Sequence, residues 1–149
     1  MKNYYWILCA MILAPGFVGA EETELVPAKQ LVDQAKTRIQ VIEVDELAGM
    51  RDKGAIIIDV REPDETKKGI IPDAEIIPRG MLEFRVGRIT GDPDQLIVVY
   101  CRSGNRSALA ALALQNMGYR QVYSLEGGWK AWDEVRKLEA LSPRDPDNR

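Results

Sequence analysis

Cys101 stands where the apolar run Leu96-Ile97-Val98-Val99-Tyr100 breaks into the polar loop Arg102-Ser103-Gly104-Asn105-Arg106-Ser107, with the helix-forming stretch Ala108 to Met117 directly behind it. That order of residue types suits the holding of a thiolate. A buried strand that ends at the cysteine and a helix that begins just after it set the sulfur opposite a helix amino terminus. Unpaired N–H groups and the positive end of the helix dipole favour an anion there. Arg102 and Arg106 add two cations. A free thiol titrates near 8.5, and helix amino ends with neighbouring cations bring such thiols to roughly 3.5–7.5. The spacing therefore predicts a cysteine that ionises readily and acts as a nucleophile.

The amino-terminal residues bear on how that cysteine is read. Met1 to Ala20 carries Lys2, an apolar stretch from Tyr4 to Val18 with Pro15 and Gly16 near its end, and Val18-Gly19-Ala20 ahead of Glu21-Glu22. The pattern reads as a secretory leader cut after Ala20, which predicts a periplasmic or secreted mature chain. The stretch falls short of the roughly 20 residues a spanning helix needs, so no stable membrane insertion is expected after cleavage. Of the two cysteines, Cys9 leaves with the leader and only Cys101 remains. No internal disulfide is then possible, and an unpaired thiol in an oxidising compartment favours a reactive role over a packing one. One thiol cannot run Cys-x-x-Cys exchange, and a chain with no histidine lacks the ligands of a structural zinc site. Neither metal nor cofactor is expected. The 20 Lys and Arg lose Lys2 while all 23 Asp and Glu stay, giving the mature chain a formal charge of −4. Interspersed charges of that balance leave no footprint for nucleic acid, so an anionic substrate would be drawn by the local arginines.

The remaining residues must position this loop. A length of 149 residues suits one domain with its own core. Residues 21–38 read as an acidic lead-in and a docking helix from Ala28, with Leu31, Val32 and Ala35 at helical spacing; 39–139 form the domain, and 140–149 a polar tail. Strands are predicted at 39–44, 55–60, 75–78, 96–100 and 121–125. Helices are predicted from an Asp45 N-cap to Gly54, over 80–86, over 108–117 with Gly118 as C-cap, and from Gly127 to about Leu138. Residues 61–69 read as a polar loop. Strands alternating with helices imply a parallel sheet covered on both faces, with ligands bound beyond the strands' carboxyl ends, where Cys101 lies.

Five blocks in order carry a resemblance: Ile57-Ile58-Asp59-Val60-Arg61-Glu62, Gly69-Ile70-Ile71-Pro72-Asp73-Ala74, Tyr100 to Ser107, Gly118-Tyr119, and Leu125-Glu126-Gly127-Gly128-Trp129. From about Val41 to Trp132 the chain resembles the rhodanese sulfurtransferases. The resemblance implies a three-layer α/β domain with a central five-stranded parallel sheet flanked by helices. It also implies an activity: Cys101 takes a sulfane sulfur from a small anionic donor such as thiosulfate. The resulting persulfide then passes it to cyanide, a thiol or an acceptor protein, with ping-pong kinetics. Under this reading Arg102, Ser103, Gly104, Asn105, Arg106 and Ser107 form the substrate-binding loop. The arginines attract the donor, the loop N–H groups stabilise the outer sulfur, and Gly104 lets the backbone curl around it. Asp59 and Arg61 lie where the family places residues near the loop. Asp59 is read either as a buried acceptor that orders the cysteine loop or as a strand-end turn residue. Glu62 reads as solvated, and Trp129 and Trp132 as core. Ile70 stands where the family usually has histidine and is expected to be a packing substitution.

Two rival readings use the same residues. Phosphatases and arsenate reductases that share this fold use Cys-x5-Arg. Here Arg106 gives Cys-x4-Arg, and Ser107 occupies the place of the longer loop's arginine. The shorter loop leaves less room for a tetrahedral oxyanion. The other rival is a non-enzymatic binding or sensing module, whose members commonly lack the cysteine that this chain retains. A persulfide carrier is not separable from an enzyme by sequence.

Overall fold

The computed structural model describes residues 24–141, so the expected leader and residues 142–149 of the expected tail lie outside the described residues. Strands β1 (Gln40–Ile42), β2 (Ile56–Asp59), β3 (Glu75–Ile76), β4 (Leu96–Tyr100) and β5 (Gln121–Leu125) form one sheet in the order β1-β5-β4-β2-β3. Every neighbouring pair is parallel. The helices are α1 (Ala28–Lys36), α2 (Glu46–Asp52), α3 (Pro63–Thr66), α4 (Leu82–Arg85), α5 (Asn105–Asn116) and α6 (Gly128–Leu141).

Side chains alternate between the faces of a strand, and this alternation divides the core in two. On one face Ile58, Val60, Ile97, Val99, Cys101 and Val122 pack with Leu82 of α4 and with Ala110, Ala111 and Leu114 of α5. On the other, Ile57, Val98, Tyr100 and Leu125 pack with Leu47 of α2, and Trp129 and Trp132 of α6 lie against them. Helix α1 docks outside α5, with Val32 and Ala35 against Ala108. The continuous apolar run of β4 follows from its position, since the central strand is covered on both faces. Each such buried aliphatic side chain contributes about 1.5–3 kcal/mol.

Strands β4 and β5 fall where the sequence puts them, and the departures lie in short polar segments. Helix α5 begins three residues earlier than expected, so Asn105, Arg106 and Ser107 are its first turn rather than loop. The break falls at Gly104, whose φ of +94° is left-handed and whose carbonyl accepts from Ala108 N–H. Asp45 makes no side-chain cap; Glu46 instead reaches back to accept from Glu43 N–H. The expected loop at 61–69 contains α3, started by Pro63 in its first turn, where a missing N–H costs nothing. The helix expected over 80–86 is one turn of α-helix between two 3₁₀ turns.

Candidate active site

Cys101 directly follows β4, and its side chain, 1% exposed, belongs to the α5 face of the core. The N–H of Gly104 donates to Cys101 Sγ at 3.3 Å. The cradle around the sulfur is thus the four-residue segment Cys101 to Gly104, closed by the start of α5. A second helix start holds the same segment from the other side. Trp129 N–H donates to the Cys101 carbonyl at 2.8 Å and Lys130 N–H to that of Arg102 at 3.1 Å, so the first turn of α6 uses its unpaired donors on the cysteine's own backbone. Gly128 makes this approach possible. Its φ is +55°, and a Cβ there would stand 2.3 Å from the Cys101 carbonyl oxygen.

Gly104 is pinned from its carbonyl as well. Ser107 Oγ donates to that carbonyl at 3.0 Å, and Ser124 Oγ on β5 donates to Ser107 Oγ at 2.9 Å. Both serines are buried. Ser107 therefore acts on the loop's backbone, with its side chain turned away from solvent, whereas Ser103 and Asn105 are exposed. Sequence reasoning missed Ser124. Its signal was a hydroxyl at a buried position of β5, on the same face as Val122 and paired in register with Val99 of β4.

The two loop arginines have different surroundings. Arg106 donates to both carboxylate oxygens of Glu65, at 2.7 Å each. The hydrogen bonds from Arg106 hold the Glu65 carboxyl at about 2, well under its ordinary 4.5, and the same bonds raise the Arg106 guanidinium. Arg102 is exposed and lines a cavity of about 140 Å³ together with Arg61, Glu65, Lys68 and Trp129. Glu65 was not singled out by sequence reading. It sits 41 residues from Arg106, and only the position of α3 beside the loop brings them together.

The Glu65–Arg106 pair makes folding stability depend on pH. The carboxyl titrates lower in the folded chain than in the unfolded one, so its contribution is complete above about pH 5 and fades as pH falls from the ordinary 4.5 toward 2. Both side chains are about one-third exposed, which limits the contribution to about 1–2 kcal/mol. Denaturant unfolding of Glu65→Gln is expected to show that deficit at pH 7, with the difference narrowing steadily as pH falls from about 4.5 toward 2. A constant difference across the range would contradict the assignment.

Asp59 is a buried acceptor, and its carboxylate is engaged by Arg61 rather than by a group of the cysteine loop. It lies on the face of β2 opposite to Cys101, beside Tyr100, because the two-residue alternation turns it away. Its carboxylate accepts from Arg61 N–H at 3.0 Å and from the Arg61 guanidinium at 2.6 Å, and lies next to Tyr100 in the sheet. Burial and this carboxylate push the Tyr100 phenol up. Arg61, itself 1% exposed, extends to the Gly69 carbonyl at 2.7 Å and lies 4.5 Å over the Trp129 ring. Asp59 thus orients Arg61, and Arg61 ties the segment ending at Gly69 to α6. Trp129 is shared between core and cavity wall. Glu62 is exposed. Ile70 is half-buried and belongs to none of the three buried clusters; Ile71 fills that place, its N–H donating to the Tyr100 hydroxyl at 3.1 Å.

A parallel three-layer α/β domain with a buried cysteine at the carboxyl end of its central strand, cradled between two helix starts, defines a class of cysteine-loop domains. The rhodanese-like domain family matches residues 43–135, more than half of the chain, and the chain belongs to that family. A sulfurtransferase of Allochromatium vinosum is 42% identical over 77 residues, which cover 52% of this chain and 70% of that protein. The thiosulfate sulfurtransferase GlpE of Pseudomonas syringae pv. syringae is 31% identical over 105 residues, 70% of this chain and 97% of that one. Among solved structures, a Rhodopseudomonas palustris protein of unknown function, described as a possible tyrosine phosphatase, is 33% identical. It superposes with a TM-score of 0.67 over 79% of this chain and 97% of its own.

Proposed function

We propose that the protein is a sulfurtransferase working through a persulfide on Cys101. The thiolate attacks the outer sulfur of a small anionic donor such as thiosulfate. The new S–S bond forms as the donor's own S–S bond breaks, and sulfite leaves with the bonding pair. The persulfide's charge rests on its outer sulfur, within reach of the backbone N–H groups of the cradle. A thiophilic acceptor, cyanide or a thiol, small or on a protein, then takes that sulfur and restores the thiolate. No proton transfer is required in the first half-reaction, so the absence of histidine from the chain is no obstacle. The observation that carries this reading is the Gly104 N–H directed at the buried sulfur of Cys101. The names of the relatives from Allochromatium and Pseudomonas support it.

Initial rates with thiosulfate and cyanide varied together are expected to give parallel double-reciprocal lines, as a covalent intermediate requires. Intersecting lines would contradict it. The likeness to the protein described as a possible tyrosine phosphatase favours a second reading, phosphoryl transfer. Against it stand the Cys-x4-Arg spacing and the occupation of Arg106 by Glu65, since an oxyanion-clasping arginine must be free to turn inward. The reading includes export by the amino-terminal leader, with cleavage after Ala20; the mass of the chain recovered from cells tests it.

A further inference from the structure

Four cations, Arg61, Lys68, Arg102 and Arg106, gather at the mouth of the cysteine loop, and two of them are already compensated. Arg61 is held against Asp59 in the interior, and Arg106 is clasped by both oxygens of Glu65. Lys68 and Arg102 are different. Both are exposed, both line the cavity of about 140 Å³ beside the loop, and among the described residues neither side chain has an ion-pair or hydrogen-bond partner. Lys68 comes from the segment between α3 and Gly69, outside the loop, and no motif marks it.

A compensated ion pair acts on an approaching ligand as a dipole, whose field decays faster than that of a single charge. The unpaired positive charge at the mouth therefore comes from Lys68 and Arg102 together, and it outweighs the single exposed carboxylate of Glu62 that also acts on Arg106. A dianion gains about twice what a monoanion gains from each of these charges. We propose that Lys68 is a donor-selecting residue: with Arg102 it forms a two-cation mouth that favours small dianionic sulfur donors over donors of lower charge. This rests on the sulfurtransferase reading and adds a residue to it. The dianionic reaction is Cys–S⁻ + S–SO₃²⁻ → Cys–S–S⁻ + SO₃²⁻. With an organic thiosulfonate it is Cys–S⁻ + RSO₂S⁻ → Cys–S–S⁻ + RSO₂⁻. The same sulfur is transferred and the same kind of bond breaks, and only the donor's charge differs. The role assigned to Lys68 is electrostatic attraction, so it acts on donor capture rather than on bond exchange.

The test is single-turnover persulfide formation by the wild type, Lys68→Gln and Lys68→Arg, with thiosulfate and with a small organic thiosulfonate. Lys68→Gln is expected to lower kcat/KM about tenfold for thiosulfate and about threefold for the thiosulfonate, in both cases through KM. Lys68→Arg is expected to restore both values, and the salt dependence of the thiosulfate rate is expected to be shallower in Lys68→Gln. Equal losses for the two donors, no loss, or failure of arginine to restore the rate would overturn the role of Lys68 while leaving the sulfurtransferase reading standing. A folded wild-type protein that takes sulfur from neither donor would overturn both.

Discussion

Replacement of Cys101 by serine is expected to reduce sulfur transfer by at least about a thousandfold while the protein stays folded. A serine oxygen cannot form the S–S bond on which both half-reactions depend, so the loss falls on bond exchange and not on donor capture. The fold tolerates the change because the serine is smaller than the cysteine and because Gly104 N–H, now 3.3 Å from the sulfur, can donate to the hydroxyl instead. The cost in stability is then about 1 kcal/mol. Circular dichroism and thermal unfolding separate the two effects. Undiminished transfer by a folded Cys101→Ser variant would remove the persulfide from the mechanism.

Asp59→Ala is expected to cost about 3–5 kcal/mol of stability, the largest single loss among the charged residues described here. The Arg61–Asp59 pair has side chains 2% and 0% exposed, and removal of the carboxylate leaves a guanidinium in the interior with a net charge. Carbonyls of Glu65 and Gly69 and the Trp129 ring still face it, yet none neutralises it. Asp59→Asn keeps the shape and one acceptor but not the charge, and is expected to fall between alanine and the wild type. Because Asp59 lies across the sheet from Cys101, the fraction that remains folded is expected to retain its persulfide chemistry. Denaturant titration with parallel activity measurement checks this. A stable but inactive Asp59→Asn would restore the reading in which Asp59 orders the loop.

The parts of this fold visible in the sequence are those written in long, uniform runs. Leu96 to Tyr100 and Gln121 to Leu125 are apolar and β-branched or aromatic enough, and bounded sharply enough, that the strands match their expected limits. The cysteine, its place at a strand end and the helix behind it follow from the same pattern. What the sequence concealed depends on contacts between distant segments. Residues 61–69 are polar throughout, so a four-residue helix held by Pro63 and the Glu62–Glu65 contact leaves no periodicity to detect. Residues 105–107 are polar because α5 opens at the site, and polarity there resembles a loop. The pairings of Arg106 with Glu65 and of Ser107 with Ser124 span 41 and 17 residues, and they change what each residue does. Arg106, an apparent free cation in the sequence, is paired, while Lys68, unremarkable in the sequence, is not. Asp59 shows that a motif leaves the face of a strand unspecified: the resemblance places it near the loop, and strand alternation turns its side chain to the face opposite Cys101.

Sulfur transfer by this route requires a sulfur atom carried by Cys101, and intact-protein mass spectrometry of the reduced chain reads that directly. After thiosulfate the mass is expected to rise by one sulfur, located to Cys101 by peptide analysis, and to return to its starting value on addition of cyanide. A reduced, folded protein that gains no mass from thiosulfate, or gains it at a site other than Cys101, would contradict the account.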